Sequence, residues 1–150
     1  MKRLFYLLAA AAFTACGSAT TLSVMTFNMR YDNPEDGADN WRFRRGRVAE
    51  VIASHGVDVF GTQELLANQL GDLKRLLPGY AAVGVGREDG AEAGEFSAVF
   101  YRRDRFTPLE SGTFWLSETP DVAGSKGWDG ACERVATWVV LHDREGGREF

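Results

Sequence analysis

The sequence has few of the residues that form disulfides and sulfur-ligated metal sites. Its 150 residues include 2 cysteines, 2 histidines and 4 prolines. Two cysteines are too few for a cysteine-ligated zinc site, so that class of centre is excluded. The length and the 45% hydrophobic content instead predict one domain with a hydrophobic core.

Near the N-terminus the apolar run is too short to cross a bilayer. Leu4 to Phe13 is apolar, whereas a membrane-spanning helix needs roughly 20 such residues. Lys2 and Arg3 precede the run, which gives it the basic-then-apolar layout of a secretory signal. We therefore predict a signal peptide over residues 1–15 and an exported protein.

The end of this segment indicates whether the exported protein is anchored to a membrane. The stretch Phe13 to Ser18 is similar to a bacterial lipobox, in which Cys16 becomes the lipid-modified first residue of the mature chain. Phe13 departs from that pattern, so ordinary cleavage near Ala15 to Ala19 remains an alternative. The protein is then either a membrane-anchored lipoprotein of the cell envelope or a secreted or periplasmic protein. If Cys16 is acylated, only Cys132 is left and no intrachain disulfide forms.

Excess positive charge is absent as well. The formal net charge is −4, and loss of two basic residues with the signal peptide changes it to 15 − 21 = −6. A net acidic surface does not favour indiscriminate binding to polyanions. One local cluster of arginines, at positions 42, 44, 45 and 47, falls in a predicted helix. Such a cluster is more typical of a solvated helix face than of a phosphate-binding track.

The hydrophobic pattern predicts an α+β fold. A strand at 21–28 is followed by a polar loop, a helix that Asp39 or Asn40 caps and that runs to about Gly56, and a strand at 57–62. A second helix carries leucines at 66, 70, 73, 76 and 77, all expected in the core. A meander of strands at 80–85, 96–101, 106–115 and 134–142 completes the pattern. A further strand starts at Arg148, and we expect the chain to be a fragment.

Polar residues follow the first two strands at the point where each ends. If a right-handed crossover makes these strands parallel neighbours, Asn28 and Glu64 lie side by side at one rim of the sheet. An amide oxygen beside one carboxylate suits Mg²⁺, which prefers oxygen ligands and keeps several waters. The alternative is that Glu64 only caps the helix that follows it.

Four motifs occur in a characteristic order along the chain. The series Thr26–Arg30, Gly61–Glu64, Ala98–Arg102 and Arg134–Trp138, together with Asn40–Arg45, Phe114–Pro120 and Gly127–Asp129, resembles the endonuclease/exonuclease/phosphatase superfamily. Its exported bacterial members are the most similar. The resemblance covers residues 22–150 and implies the N-terminal part of a DNase-I-like two-sheet β-sandwich flanked by helices.

The resemblance also assigns site residues. It makes Glu64 the ligand of Mg²⁺ (Mn²⁺ is possible) and Asn28 its neighbour in the metal and phosphate site, both of them catalytic. Arg134 would bind a substrate phosphate oxygen, to which its planar, permanently charged guanidinium is suited. Arg30 and Glu95 are further substrate-binding candidates.

Each of the arginine assignments has an alternative. Arg134 can instead be a solvent-facing strand residue paired with Glu133 or Glu118. Arg30 can instead form a surface salt bridge. Neither histidine occupies the position of the family's catalytic histidine.

The implied function is Mg²⁺-dependent hydrolysis of phosphate esters, with a nucleic acid, a sugar phosphate or a lipid headgroup as substrate. The protein would be a monomer that meets a membrane only through a lipid anchor. The family's later motifs, Asn-x-His, Asp-x-Asn and Ser-Asp-His, are not found up to Phe150. We therefore expect these 150 residues alone to be inactive and to fold poorly. A non-catalytic exported lipoprotein that uses the fold as a binding module is the alternative.

Overall fold

Two β-sheets and two α-helices make up the structure, a computed structural model that describes residues 21–150. The first sheet has the order β1-β2-β4-β3, formed by β1 (Val24–Asn28), β2 (Val59–Gln63), β3 (Tyr80–Val83) and β4 (Val99–Arg102). The second has the order β5-β6-β7, formed by β5 (Phe106–Trp115), β6 (Val135–Asp143) and β7 (Arg148–Glu149). The helices are α1 (Trp41–Ser54) and α2 (Ala67–Leu76). The predicted α+β class is confirmed, while the predicted signal peptide and Cys16 lie outside the described residues.

The crossover between the first two strands is the one predicted. β1 and β2 are parallel, and their register pairs Asn28 with Gln63. Between them lies α1, which begins where the Asn40 side chain accepts a hydrogen bond from the Arg42 amide (3.2 Å). Because parallel strands end at the same edge of a sheet, this unit brings the residues after Asn28 and Gln63 together.

The hydrophobic core lies between the first sheet and its helices. Ile52 of α1 and Leu73 of α2 are fully buried against Phe60 and Phe100, whose rings stack with centroids 4.6 Å apart. Within residues 21–150, no helix is long and apolar enough to span a membrane.

Three predictions about the elements need correction. Leu76 is 44% exposed rather than in the core, because it is the last residue of α2 and lies at the border of the helix face that Leu73 buries. The predicted polar loop after β1 contains a 3-10 helix, Pro34–Asp39, whose first turn Asn33 caps. The later strands do not form one meander: β4 lies between β2 and β3, and β5 starts a separate sheet.

A buried ion cluster joins the two sheets. Arg105 is 4% exposed and lies in the short connection from β4 to β5. It donates to Asp58, just before β2 (2.8 Å), and to both oxygens of Asp143, at the end of β6 (3.1 and 2.8 Å). Hydrogen bonds from Arg105 lower the pKa of Asp143 to about 2. Asp58 also accepts from the Ser23 amide (2.9 Å), which attaches the segment leading into β1.

We predict that Arg105→Met destabilises the protein by about 3–5 kcal/mol, because removing one member of a buried ion cluster leaves the other charges uncompensated. Urea unfolding followed by circular dichroism measures the change. Arg47→Met is the matched control, since Arg47 is exposed and, within residues 21–150, pairs only with Glu50 on the same helix (3.0 Å). It should change the free energy of unfolding by less than about 0.5 kcal/mol. Equal effects of the two substitutions would contradict the assignment.

Candidate active site

The polar residues at the ends of β1 and β2, Asn28 and Glu64, are in direct contact. Asn28 Nδ2 donates a hydrogen bond to Glu64 Oε1 over 2.9 Å, although the residues are 36 positions apart in sequence. The predicted juxtaposition at the rim of the sheet is confirmed. Asn28 Oδ1 accepts the backbone N–H of Arg30 (2.8 Å), which fixes the orientation of the amide group.

Both strands leave this rim through residues in the left-handed region. Arg30 has a φ of 52° and Glu64 a φ of 56°. Residues other than glycine rarely adopt such angles, which cost of order 1–3 kcal/mol each and occur mainly at functional sites. The helix-capping alternative for Glu64 is wrong, because the N-cap of α2 is Leu66.

A buried glutamine holds the two strained segments in place. Gln69 of α2 is completely buried. Its Oε1 accepts from the amides of Asp32 (3.1 Å) and Leu66 (3.0 Å), and its Nε2 donates to the Arg30 carbonyl (3.0 Å). One side chain thus connects the loop after β1 to the turn after β2.

An arginine of α1 secures the same loop from the other side. Arg44 donates to the carbonyls of Met29 (2.5 Å) and Arg30 (2.6 Å), and also to that of Asp39 (2.9 Å). These contacts satisfy backbone carbonyls that the bend removes from the sheet ladder. Part of the arginine cluster predicted as a solvated face therefore supports the site instead.

Glu64 faces a pocket of about 280 Å³ between the ends of the two sheets. Its lining is almost entirely polar: Asn28, Gln63, Glu64, Arg87, Glu95, Ser97, Glu133, Arg134 and Val135. Glu95, a substrate-binding candidate from the sequence, is among them, and its contact with substrate stays a prediction. Glu95 accepts a hydrogen bond from Arg87 (2.8 Å), so these two charges largely neutralise each other in the pocket wall.

Arg134 lies in the same pocket, at the start of β6. Its side chain is exposed, and no ion pair with Glu133 or Glu118 forms within the described part of the chain. Its backbone carbonyl accepts the Leu116 amide (2.8 Å), which fixes the start of the strand. The structure therefore brings a cation with no carboxylate partner in residues 21–150 to the pocket that holds Glu64.

Arg30 is directed elsewhere. It forms a two-pronged pair with Asp36, at 3.1 Å from Nε and 2.9 Å from Nη2. The hydrogen bond from Arg30 is the main reason that the pKa of Asp36 is lowered. The surface salt bridge given as the alternative for Arg30 is present, and a contact with substrate stays a prediction.

The donor set fits a divalent cation that keeps most of its water. In residues 21–150, no group of three or more His, Cys, Asp or Glu side chains could enclose a metal ion. Glu64 offers one carboxylate at a polar pocket, which is enough for Mg²⁺ when waters and a substrate phosphate complete the shell. Asn28 turns its nitrogen towards Glu64, so it holds the carboxylate in place, and direct ligation by Asn28 stays a prediction.

Several residues that shape the site were not identified from the sequence. Arg87 lies on a loop, and Gln69 and Arg44 lie on α2 and α1, where no local pattern connects them with Asn28 and Glu64. Arg87 Nε is buried without a hydrogen-bond partner in the described residues, which singles it out in three dimensions. Gln69 offered one signal, because it stands three residues after Leu66 and four before Leu73, both of which were predicted to be in the core.

Comparisons with known proteins agree with this geometry. The endonuclease/exonuclease/phosphatase family model matches residues 25–148. An endonuclease/exonuclease/phosphatase from Bacteroides vulgatus is 50% identical, with a TM-score of 0.82 over 83% of this chain and 48% of that one. A mannosyl-6-phosphatase from Bacteroides thetaiotaomicron is 47% identical, with a TM-score of 0.84 over 87% of this chain and 49% of that one.

More distant similarity shows the fold alone. TDP2 of D. rerio, solved with a single-strand DNA product, is 20% identical, with a TM-score of 0.59 over 86% of this chain and 43% of that one. This chain spans about half the length of the Bacteroides structures it matches. No curated protein matches it in sequence.

We predict that Asn28→Ala weakens Mg²⁺ binding by about 10–100-fold, because residues that orient a metal ligand typically contribute that much affinity. Calorimetric titration of the protein with MgCl₂ measures the effect. Asn68→Ala is the control, since Asn68 is exposed and donates to Asp32 rather than to Glu64 (2.8 Å). An unchanged dissociation constant in Asn28→Ala would show that Glu64 needs no support from this amide.

Proposed function

Because the chain belongs to the endonuclease/exonuclease/phosphatase family and has the DNase-I-like architecture, we propose that the protein is a Mg²⁺-dependent hydrolase of phosphate esters. The observation that carries this proposal is the Asn28–Glu64 contact in a pocket that also contains Arg134. A carboxylate for the metal and a cation for the phosphate then face the same small volume.

Three residues of the pocket would have separate roles in binding the phosphate group. Mg²⁺, when bound, would polarise a phosphoryl oxygen and neutralise the charge that develops in the transition state. Glu64 would hold the ion, and Asn28 keeps that carboxylate in one orientation. Arg134 would donate two parallel hydrogen bonds to phosphate oxygens.

The rim of the first sheet would contribute to catalysis by holding the Glu64 carboxylate in a fixed orientation. Glu64 is held by its strained backbone, by Asn28 and by the Gln69 network, so little reorganisation is needed when charge develops on the substrate. The ion pair of Arg87 and Glu95 forms a rigid wall and leaves Arg134 as the cation available to an anionic ligand.

We further propose a small phosphorylated sugar as the substrate. The pocket volume of about 280 Å³ suits a phosphate group better than a long chain. Three of its lining residues are glutamates, and the formal net charge of −4 also disfavours an extended polyanion. The mannosyl-6-phosphatase that is 47% identical supports the same substrate class.

We also propose that the protein acts outside the cytoplasm, as a lipoprotein attached through Cys16. The basic-then-apolar layout of residues 2–13 supports export, and the stretch ending at Cys16 supports acylation. A single acyl chain binds membranes only marginally, so stable anchoring needs more than one.

The first test of this function is hydrolysis by the complete gene product with Mg²⁺. We expect release of inorganic phosphate from hexose 6-phosphates, and Glu64→Gln should lower kcat by at least about 100-fold, since the charge that holds the metal is lost. Glu50→Gln, on the exposed face of α1, is the control and should leave kcat unchanged.

Single-stranded DNA and phosphorylated lipid headgroups belong in the same assay. Faster hydrolysis of either would reassign the substrate class while keeping the reaction. Equal inactivity of the wild type and Glu64→Gln on every substrate would refute the enzyme and favour a binding module.

The lipid anchor is tested separately by mass spectrometry of the mature N-terminus. We predict an acylated Cys16 in the membrane fraction and a Cys16→Ala variant without lipid, because the thiol is the attachment point. Serine substitution of Cys132 is the control and should not affect fractionation. A mature chain starting within residues 16–20 without lipid would indicate ordinary cleavage.

A further inference from the structure

Trp128 is the most exposed large apolar side chain in the described part of the protein, at 74%. A single exposed tryptophan needs no functional explanation by itself. Its backbone is the second observation, because φ is 52°. Only three non-glycine residues in 21–150 have positive φ, and Glu64 and Arg30 are the other two. Both of those lie at or beside the candidate active site.

The conformation of Trp128 is built by its neighbours. Gly127 is buried, and a β-carbon there would stand 2.4 Å from Ser117 Cα and 2.7 Å from the Leu116 carbonyl oxygen. Only glycine permits this approach. The Glu118 carboxylate accepts the Trp128 N–H (3.4 Å), and the Gly130 N–H closes the turn on the Gly127 carbonyl (3.1 Å). These contacts fix the backbone conformation in which the Trp128 indole is exposed to solvent.

The same loop is connected to two residues that line the pocket. Leu116, against which Gly127 packs, is hydrogen-bonded to Arg134, and Arg134 lines the pocket. Further along, Gly124 lies against the carbonyl of Glu88, the residue after Arg87 of the pocket wall. Trp128 thus stands on a loop that is connected through Leu116 to Arg134 and through Glu88 to Arg87, two residues that line the pocket.

We propose that Trp128 is a stacking platform for the sugar ring of the substrate, outside the pocket that binds its phosphate. This inference rests on the proposed function. The polar pocket is small, so the remainder of a phosphorylated sugar extends over the rim. A tryptophan ring presents a large flat apolar face with little conformational entropy to lose, and the C–H face of a pyranose ring is complementary to it.

The platform is tested in the complete gene product by comparing two substrates. Trp128→Ala should lower kcat/KM for a hexose 6-phosphate about tenfold through KM, and for glycerol phosphate, which has no ring, less than twofold. Trp128→Phe should retain most of the activity on the hexose. Trp138→Ala is the control, because Trp138 is 42% exposed on β6 of the second sheet. This variant should change kcat/KM for neither substrate.

A binding measurement separates this proposal from the proposed function. Calorimetry with a non-hydrolysable hexose 6-phosphonate should show about tenfold weaker binding to Trp128→Ala than to the wild type, whether or not the protein turns substrates over. The platform would be overturned if the phosphonate bound equally to the wild type and to Trp128→Ala, or did not bind to the wild type. It would also be overturned if Trp128→Ala lowered kcat/KM equally for the two substrates. Absence of turnover with intact, Trp128-dependent binding would overturn only the hydrolase.

Discussion

The structure depends on the ion cluster in which Arg105 binds Asp58 and Asp143. Asp58 precedes β2 and Asp143 ends β6, so the cluster joins the two sheets through these strands. The other ends of the same two strands carry Glu64 and Arg134, which line the pocket. A polar contact buried at one end of the sandwich thus joins the two strands whose other ends place Glu64 and Arg134 in one pocket.

The active-site rim is strained, and neighbouring side chains maintain the strain. Arg30 and Glu64 bend the chain in left-handed conformations where the parallel strands end. Gln69 and Arg44 satisfy the carbonyls and amides that these bends expose. Such conformations persist only where the surroundings over-determine them, which is consistent with a site whose carboxylate must be held before its ligand arrives.

Helix and strand positions were largely predictable because they follow local periodicity and caps. Asn40 caps α1 as expected, and β5 has the predicted bounds. Leu76 was wrongly placed because it ends α2 at the border of the apolar face, where the periodic pattern does not show how far the core extends. The family resemblance predicted the two sheets correctly, but the meander read from the pattern gave the wrong strand order. Strand order depends on which edges pair over long distances rather than on the pattern within each strand.

The sequence alone determined the family resemblance, the α+β class and the juxtaposition of Asn28 with Glu64. That juxtaposition follows from one short crossover between parallel strands, a rule with few exceptions. Only the tertiary structure decided that Arg134 shares the pocket of Glu64, that Arg30 binds Asp36 and that Gln69 joins two loops. These depend on how side chains from distant segments pack and pair, and no local pattern encodes the distances between them.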